Sequence, residues 1–131
     1  MQTPIEPPVA PDKVTGVKHI FAATRYSAAG FLRLWGETAF RHELLAASGL
    51  LIVLGVIGAP ALAILSVAIL SLVTLAVEAL NTAVEELVDH VSPEWSLPAK
   101  HAKDMGSFAV MALLFATGLA FAAGVWAALS I

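Results

Sequence analysis

Glu78, Asn81, Glu85, Glu86 and Asp89 follow directly on Leu44–Val77, a stretch of 34 residues with no charge. An ionised side chain near the middle of a bilayer costs about 3 kcal/mol or more, so acids at the edge of such a stretch are kept where they bind a metal, move a proton or do chemistry. On a helix, Asn81, Glu85 and Asp89 follow Glu78 at offsets of 3, 7 and 11, which puts all four on one face roughly 80° wide. Glu86 falls off that stripe. Other polar groups reach the same level. Glu37, Arg41 and Glu43 precede the first apolar stretch, and Lys103, Asp104 and Ser107 begin the second. Carboxylates from two helices can hold a hard cation such as Mg²⁺, which binds through one or two carboxylates together with substrate phosphates. A lysine supplies positive charge for phosphate. A carboxylate deeper in the membrane can take a proton from a lipid hydroxyl. This inventory suits phosphoryl transfer onto a membrane-borne alcohol.

Simpler roles compete with that reading. Glu86 and Asp89 by themselves read equally well as solvated acids at a helix end, and Lys103 by itself as a snorkelling, topology-fixing residue. Trp35, Trp95 and Trp126 read as interfacial anchors. The four histidines show no ligand spacing, and cysteine is absent. No phosphate-binding glycine loop, zinc-protease motif or nucleophile elbow occurs, and no basic patch with interleaved aromatics suggests nucleic acid.

The elements that position these groups follow from composition. Of 131 residues, 59% are hydrophobic and 13% charged, with a mean hydropathy of +0.85. These values suit one small membrane domain. A helix of 34 residues would span roughly 50 Å, against about 30 Å of hydrocarbon, so the Leu44–Val77 stretch has to break, and Gly55–Pro60 (GVIGAP) is the evident place. This predicts one spanning helix over about 40–57 and a second over about 60–91. Ser92-Pro93 and Leu97-Pro98 bracket a short connection to a third, over about 99–131. Residues 15–36 alternate apolar and basic positions at helical spacing and predict an amphipathic helix on the membrane surface. The proline-rich residues 1–14 are expected to be disordered. They lack the basic start and short apolar run of a signal peptide, so targeting is expected from the helices. Residues 15–131 form a single domain on this reading. The fold class is all-α, integral to the membrane.

Five of the seven Lys/Arg residues precede the first spanning helix, and the other two, Lys100 and Lys103, lie in the 90–103 connection. The positive-inside rule then puts the N-terminus and this connection in the cytoplasm and the C-terminus outside. From Ala61 to Glu78 the helix rises roughly 25 Å. Glu78 is therefore the deepest acid, near the cytoplasmic edge of the hydrocarbon, with Glu85 about 10 Å nearer the cytosol.

The segments WGETAFRHE (Trp35–Glu43), VEALNTAVEELVD (Val77–Asp89) and AKDMGSFAV (Ala102–Val110) closely resemble the bacterial integral-membrane diacylglycerol kinases, from about Ile20 onward. The resemblance implies a homotrimeric bundle in the bacterial inner membrane. It implies transfer of the γ-phosphate of ATP, with Mg²⁺, to the primary hydroxyl of diacylglycerol, giving phosphatidic acid. By position in the motifs, it implies Glu78 as general base and Glu37 and Glu85 as magnesium ligands. Asn81 would position these groups. Lys103 would contact the nucleotide phosphates and Asp104 the ribose or adenine. Ser27 would contact lipid or nucleotide, and Glu43 and Asp89 would give polar support. The chain departs from the family in its proline-rich N-terminus, at Ser92-Pro93 and Leu97-Pro98, and in two further places. Lys18 or His19 stands where the surface helix often carries an arginine, and the Trp35–Glu37 interval is one residue short. A kinase of another lipid alcohol, undecaprenol, is the near alternative. A small cation channel is disfavoured because the acids stop at the interface, and a purely structural membrane protein would leave the Glu78–Asp89 stripe unexplained.

Overall fold

A computed structural model describes residues 16–130, with the exception of the Val17 side chain; the proline-rich stretch 1–14 lies outside them. The chain divides into two compact units, the first ending at Arg33 and the second beginning at Leu34. The helix described in the first unit is α1 (Val17–Leu34), whose last residue already belongs to the second. Ile20, Phe21 and Leu32 on α1 are exposed, as suits a helix whose apolar side chains meet lipid.

The second unit is a bundle of α2 (Thr38–Val56), α3 (Ala61–Val91) and α4 (Leu97–Leu129). All three are long and apolar enough to cross a membrane. Leu62, Leu65, Ile69, Leu72, Phe108, Phe115 and Leu119 point outward and are exposed, far more apolar surface than a water-soluble chain of this size tolerates. The all-α class with three spans is what the charge-free stretches predict.

Local chemistry sets the helix ends. At the end of α2, Gly58 takes a left-handed φ of 70°. Ala59 N–H donates to the Leu54 carbonyl at 2.9 Å and Gly58 N–H to Gly55 at 3.2 Å. This paired return satisfies the last carbonyls with a glycine just past the helix, where a Cβ would be strained. Pro60 follows, and α3 starts at Ala61. Ser96 caps α4 by accepting from Ala99 N–H at 3.3 Å, and Pro98 in the first turn loses no helical hydrogen bond. With Ser96 as cap, α4 begins at Leu97, ahead of the position that Pro98 alone suggests.

The apolar core lies toward the far end of the bundle from the acids. Leu54 and Val67 are fully buried there, with Leu50, Ile64, Phe121 and Val125 packed around them. Gly124 lets α4 approach closely: a Cβ there would lie 3.0 Å from Ala63 Cβ and 3.1 Å from Leu54 Cδ2. Gly124→Val is therefore expected to destabilise the bundle by about 1–3 kcal/mol, a loss measurable as earlier unfolding in a denaturant titration in micelles.

Polarity changes in order along the buried seam of α3. Val67, Ser71, Thr74, Glu78, Asn81 and Thr82 are its buried residues. From Val67 to Asn81 the alternating steps of four and three keep them on one face, and Thr82 flanks it. The seam is apolar at Val67, hydroxylated at Ser71 and Thr74, and acidic at Glu78.

Candidate functional site

The cleft where α2, α3 and α4 meet is lined by Glu37, Glu43, Glu78, Asn81, Thr82, Glu85 and Ser107, with Val110, Met111 and Leu114 as its apolar wall. Glu37 is the residue at the N-terminal boundary of α2; Glu43 lies six residues further along, roughly 1.7 turns. Glu78, Asn81 and Glu85 come from the α3 stripe, which turns toward the cleft because the same face buries Val67 and Thr74 deeper in the bundle. Glu78 is only 6% exposed. Four carboxylates thus share one concave surface: Glu37, Glu78 and Glu85, which the sequence singles out for metal and proton, and Glu43, which it names only as polar support.

The polar atoms of the cleft are partly engaged. Asn81 Nδ2 donates to Glu85 Oε1 at 3.1 Å, which fixes the orientation of that carboxylate and leaves its other oxygen for a ligand. Among the described residues, the buried side-chain atoms without a hydrogen-bond partner are Glu43 Oε2, Asn81 Oδ1 and Ser71 Oγ. Two of these line the cleft, and Ser71 lines an adjoining crevice. Unpaired buried polar atoms cost about 1–3 kcal/mol each, so their concentration here is what a site for a polar ligand would show.

Among the described residues, no three His, Cys, Asp or Glu side chains gather closely enough to cage a metal unaided. The cleft offers hard carboxylate oxygens from two helices, Glu37 and Glu85. That donor set fits a cation of the Mg²⁺ type, which keeps several of its sites for water and phosphate oxygens.

Lys103 and Asp104 do not line this cleft. They line a second one with Asp89, Lys100 and the 92–96 connection. Lys103 Nζ pairs with Asp89 Oδ1 at 2.5 Å, joining α4 to α3, and Lys100 pairs with Asp104 along α4. Asp89 is one turn past Glu85 on α3, so the second cleft continues the first toward the connection. Ser27 lies on α1, in the other unit.

Sequence reasoning gave Glu43 only a supporting role and gave Ser71 none, yet both carry unpaired buried oxygens. Gly106 on α4 is a point of close approach to α3. Its neighbour is the site itself, since a Cβ at Gly106 would collide with Asn81 Oδ1 and come within 3.1 Å of Asn81 Cγ. The amide that would have to shift is the one that donates to Glu85. Gly106→Ala is therefore expected to fold normally and lose activity by about tenfold or more, a loss that a 1 Å displacement of a positioning group is sufficient to cause. A steady-state activity assay beside a thermal unfolding curve checks both halves.

The model of the prokaryotic diacylglycerol kinase family matches residues 25–128. A protein from Sinorhizobium sp named diacylglycerol kinase is 50% identical over 108 residues, covering 82% of this chain and 79% of its own. Proteins of the same name from Pseudomonas aeruginosa and Escherichia coli K12 are 42% and 35% identical, covering 72% and 88% of this chain and 78% and 95% of theirs.

Proposed function

The chain belongs to the prokaryotic diacylglycerol kinase family, and on that premise we propose that this lipid kinase transfers the γ-phosphate of ATP to the primary hydroxyl of a diacylglycerol, giving phosphatidic acid and ADP. The observation that carries this reading is the cleft, with Glu78 buried at its deep end and Glu37 and Glu85 on two helices at its walls.

The chemistry follows from position along α3. The lipid hydroxyl enters from the hydrocarbon side, beside Val110, Met111 and Leu114, and gives its proton to the Glu78 carboxylate. The freed oxygen pair forms the new bond to the γ-phosphorus, and the bond between that phosphorus and the β,γ-bridging oxygen breaks. ADP leaves with the electron pair. Glu37 and Glu85 are the residues that would hold Mg²⁺, with Asn81 holding Glu85 in place. When bound, the ion neutralises charge on the phosphates and fixes their orientation. Lys103, one turn beyond the acids, supplies the positive field that brings phosphate to the mouth of the cleft. Asp104 faces the nucleoside. Glu43 and Asp89 support the charged groups.

Residues 15–131 act as one kinase domain in this reading, assembled as a homotrimer in the bacterial inner membrane. The N-terminus and the 90–103 connection face the cytoplasm, where ATP is available, and the C-terminus faces out. The distribution of Lys and Arg supports this orientation.

The substrate assignment is tested by offering the purified protein, in micelles with Mg²⁺ and ATP, either dioleoylglycerol or a long-chain polyprenol. Phosphorylation of the diacylglycerol at a kcat/KM well above that of the polyprenol is expected. The reverse order would reassign the acceptor to polyprenol.

A further inference from the structure

Resting on the kinase reading above, we infer that Ser71 recognises an ester carbonyl of the lipid acceptor. A diacylglycerol is then held at two points, its free hydroxyl at the carboxylates and one of its esters deeper along α3.

The starting observation is a departure from pattern. Ser48, Ser66, Thr74 and Thr117 each donate to the carbonyl four residues back, at 2.8 Å. This is how a hydroxyl in an apolar helix disposes of its proton. Ser71 is 6% exposed, its Oγ is sealed from solvent, and it has no partner. Its hydroxyl instead lines a crevice of about 100 Å³ bounded by Glu43, Ala46, Ala47, Thr74, Thr117 and Gly118. The alanines and the glycine leave that space open. The crevice shares Glu43 and Leu114 with the carboxylate cleft, so the two form one path from the acids toward the bilayer centre.

The occupant follows from what the path lacks. At its deep end stands an O–H donor with nothing to donate to. At its shallow end stand carboxylates, Glu43 Oε2 unpaired among them, which need a donor. A single ligand satisfies both if it carries a hydroxyl and, a few bonds away, a carbonyl, with apolar chains beyond. Ser71 and Glu78 are seven residues apart on one face, about 10 Å of rise. Side chains on a helix lean toward its N-terminus, so the longer glutamate reaches back toward Ser71 and shortens that interval to the scale of a glycerol backbone. Thr74 and Thr117 have committed their protons to backbone, which leaves Ser71 as the donor facing this space. A polyprenol carries the hydroxyl but no carbonyl, and it would leave Ser71 unpaired.

The test compares wild type with Ser71→Ala on 1,2-dioleoylglycerol and on its diether analogue, which keeps the hydroxyl and the chains but has no carbonyl. Wild type is expected to prefer the diester by about 3- to 10-fold in kcat/KM, the range of one net hydrogen bond. Ser71→Ala is expected to lower the diester value to that of the diether, chiefly through KM, with the diether value unchanged. Equal use of both lipids by wild type would overturn the inference. So would an equal loss on both lipids in Ser71→Ala, the result that a packing role gives. Folded wild-type protein active on neither lipid would overturn the kinase reading itself, and this inference with it.

Discussion

Glu78→Gln is expected to lower turnover by about 10²- to 10⁴-fold, the range that a positioned general base supplies, with little change in fold or in affinity for nucleotide. The substitution keeps the length and the hydrogen-bonding capacity of the side chain. It removes only the ability to accept a proton. Glu78 is 6% exposed and faces Val110, Met111 and Leu114 across the cleft, so bulk water has little access from which to replace it. Nucleotide is expected nearer the cytosol, by Glu85, about 10 Å along the helix, which is why its binding should survive. Steady-state kinetics of the purified variant, with helicity by circular dichroism and nucleotide binding by calorimetry, separate a lost base from a lost fold. A Glu78→Gln protein that turned over within a few-fold of wild type would remove Glu78 from the proton transfer.

Glu85→Gln and Glu37→Gln are expected to act differently, by raising the Mg²⁺ concentration needed for activity. Groups that merely orient a metal-binding side chain are worth about 10- to 100-fold in metal affinity, so loss of a direct carboxylate ligand should cost at least about tenfold. Glu85 is the more sensitive of the two, because Asn81 Nδ2 holds its Oε1 and the uncharged amide would be presented in the same fixed orientation. Glu86→Gln is the matched control: it removes one negative charge from the same helix, one residue along, at an exposed position outside the cleft lining. Activity measured against Mg²⁺ concentration distinguishes the three. An unchanged metal requirement in Glu85→Gln would strike it from the ligands.

The frame of this molecule is legible in the sequence because membranes impose severe constraints. Two charge-free stretches and a Gly/Pro break specify three spanning helices, and helical periodicity alone puts Glu78, Asn81 and Glu85 on one face. Periodicity does not say what that face meets. Lys103 and Asp104 read as part of the same cluster, yet they line a neighbouring cleft and pair with Asp89 and Lys100, because the approach of α4 to α3 depends on contacts such as Gly106 against Asn81. Ser71 was hidden for another reason. A serine within an apolar run ordinarily bonds to its own backbone, and only the three-helix packing shows that this one does not. Glu43 read only as polar support, because its place opposite Glu78 depends on the chain reversal at Gly58.

Transfer of labelled phosphate is the most direct test of the account. The purified protein in lipid bilayers, given ATP labelled at the γ-position, Mg²⁺ and dioleoylglycerol, should place the label in phosphatidic acid. It should fail to do so without Mg²⁺ or with Glu78→Gln at equal folded protein. Label appearing in the lipid at the wild-type rate in Glu78→Gln, or never appearing in the lipid with folded wild-type protein, would contradict it.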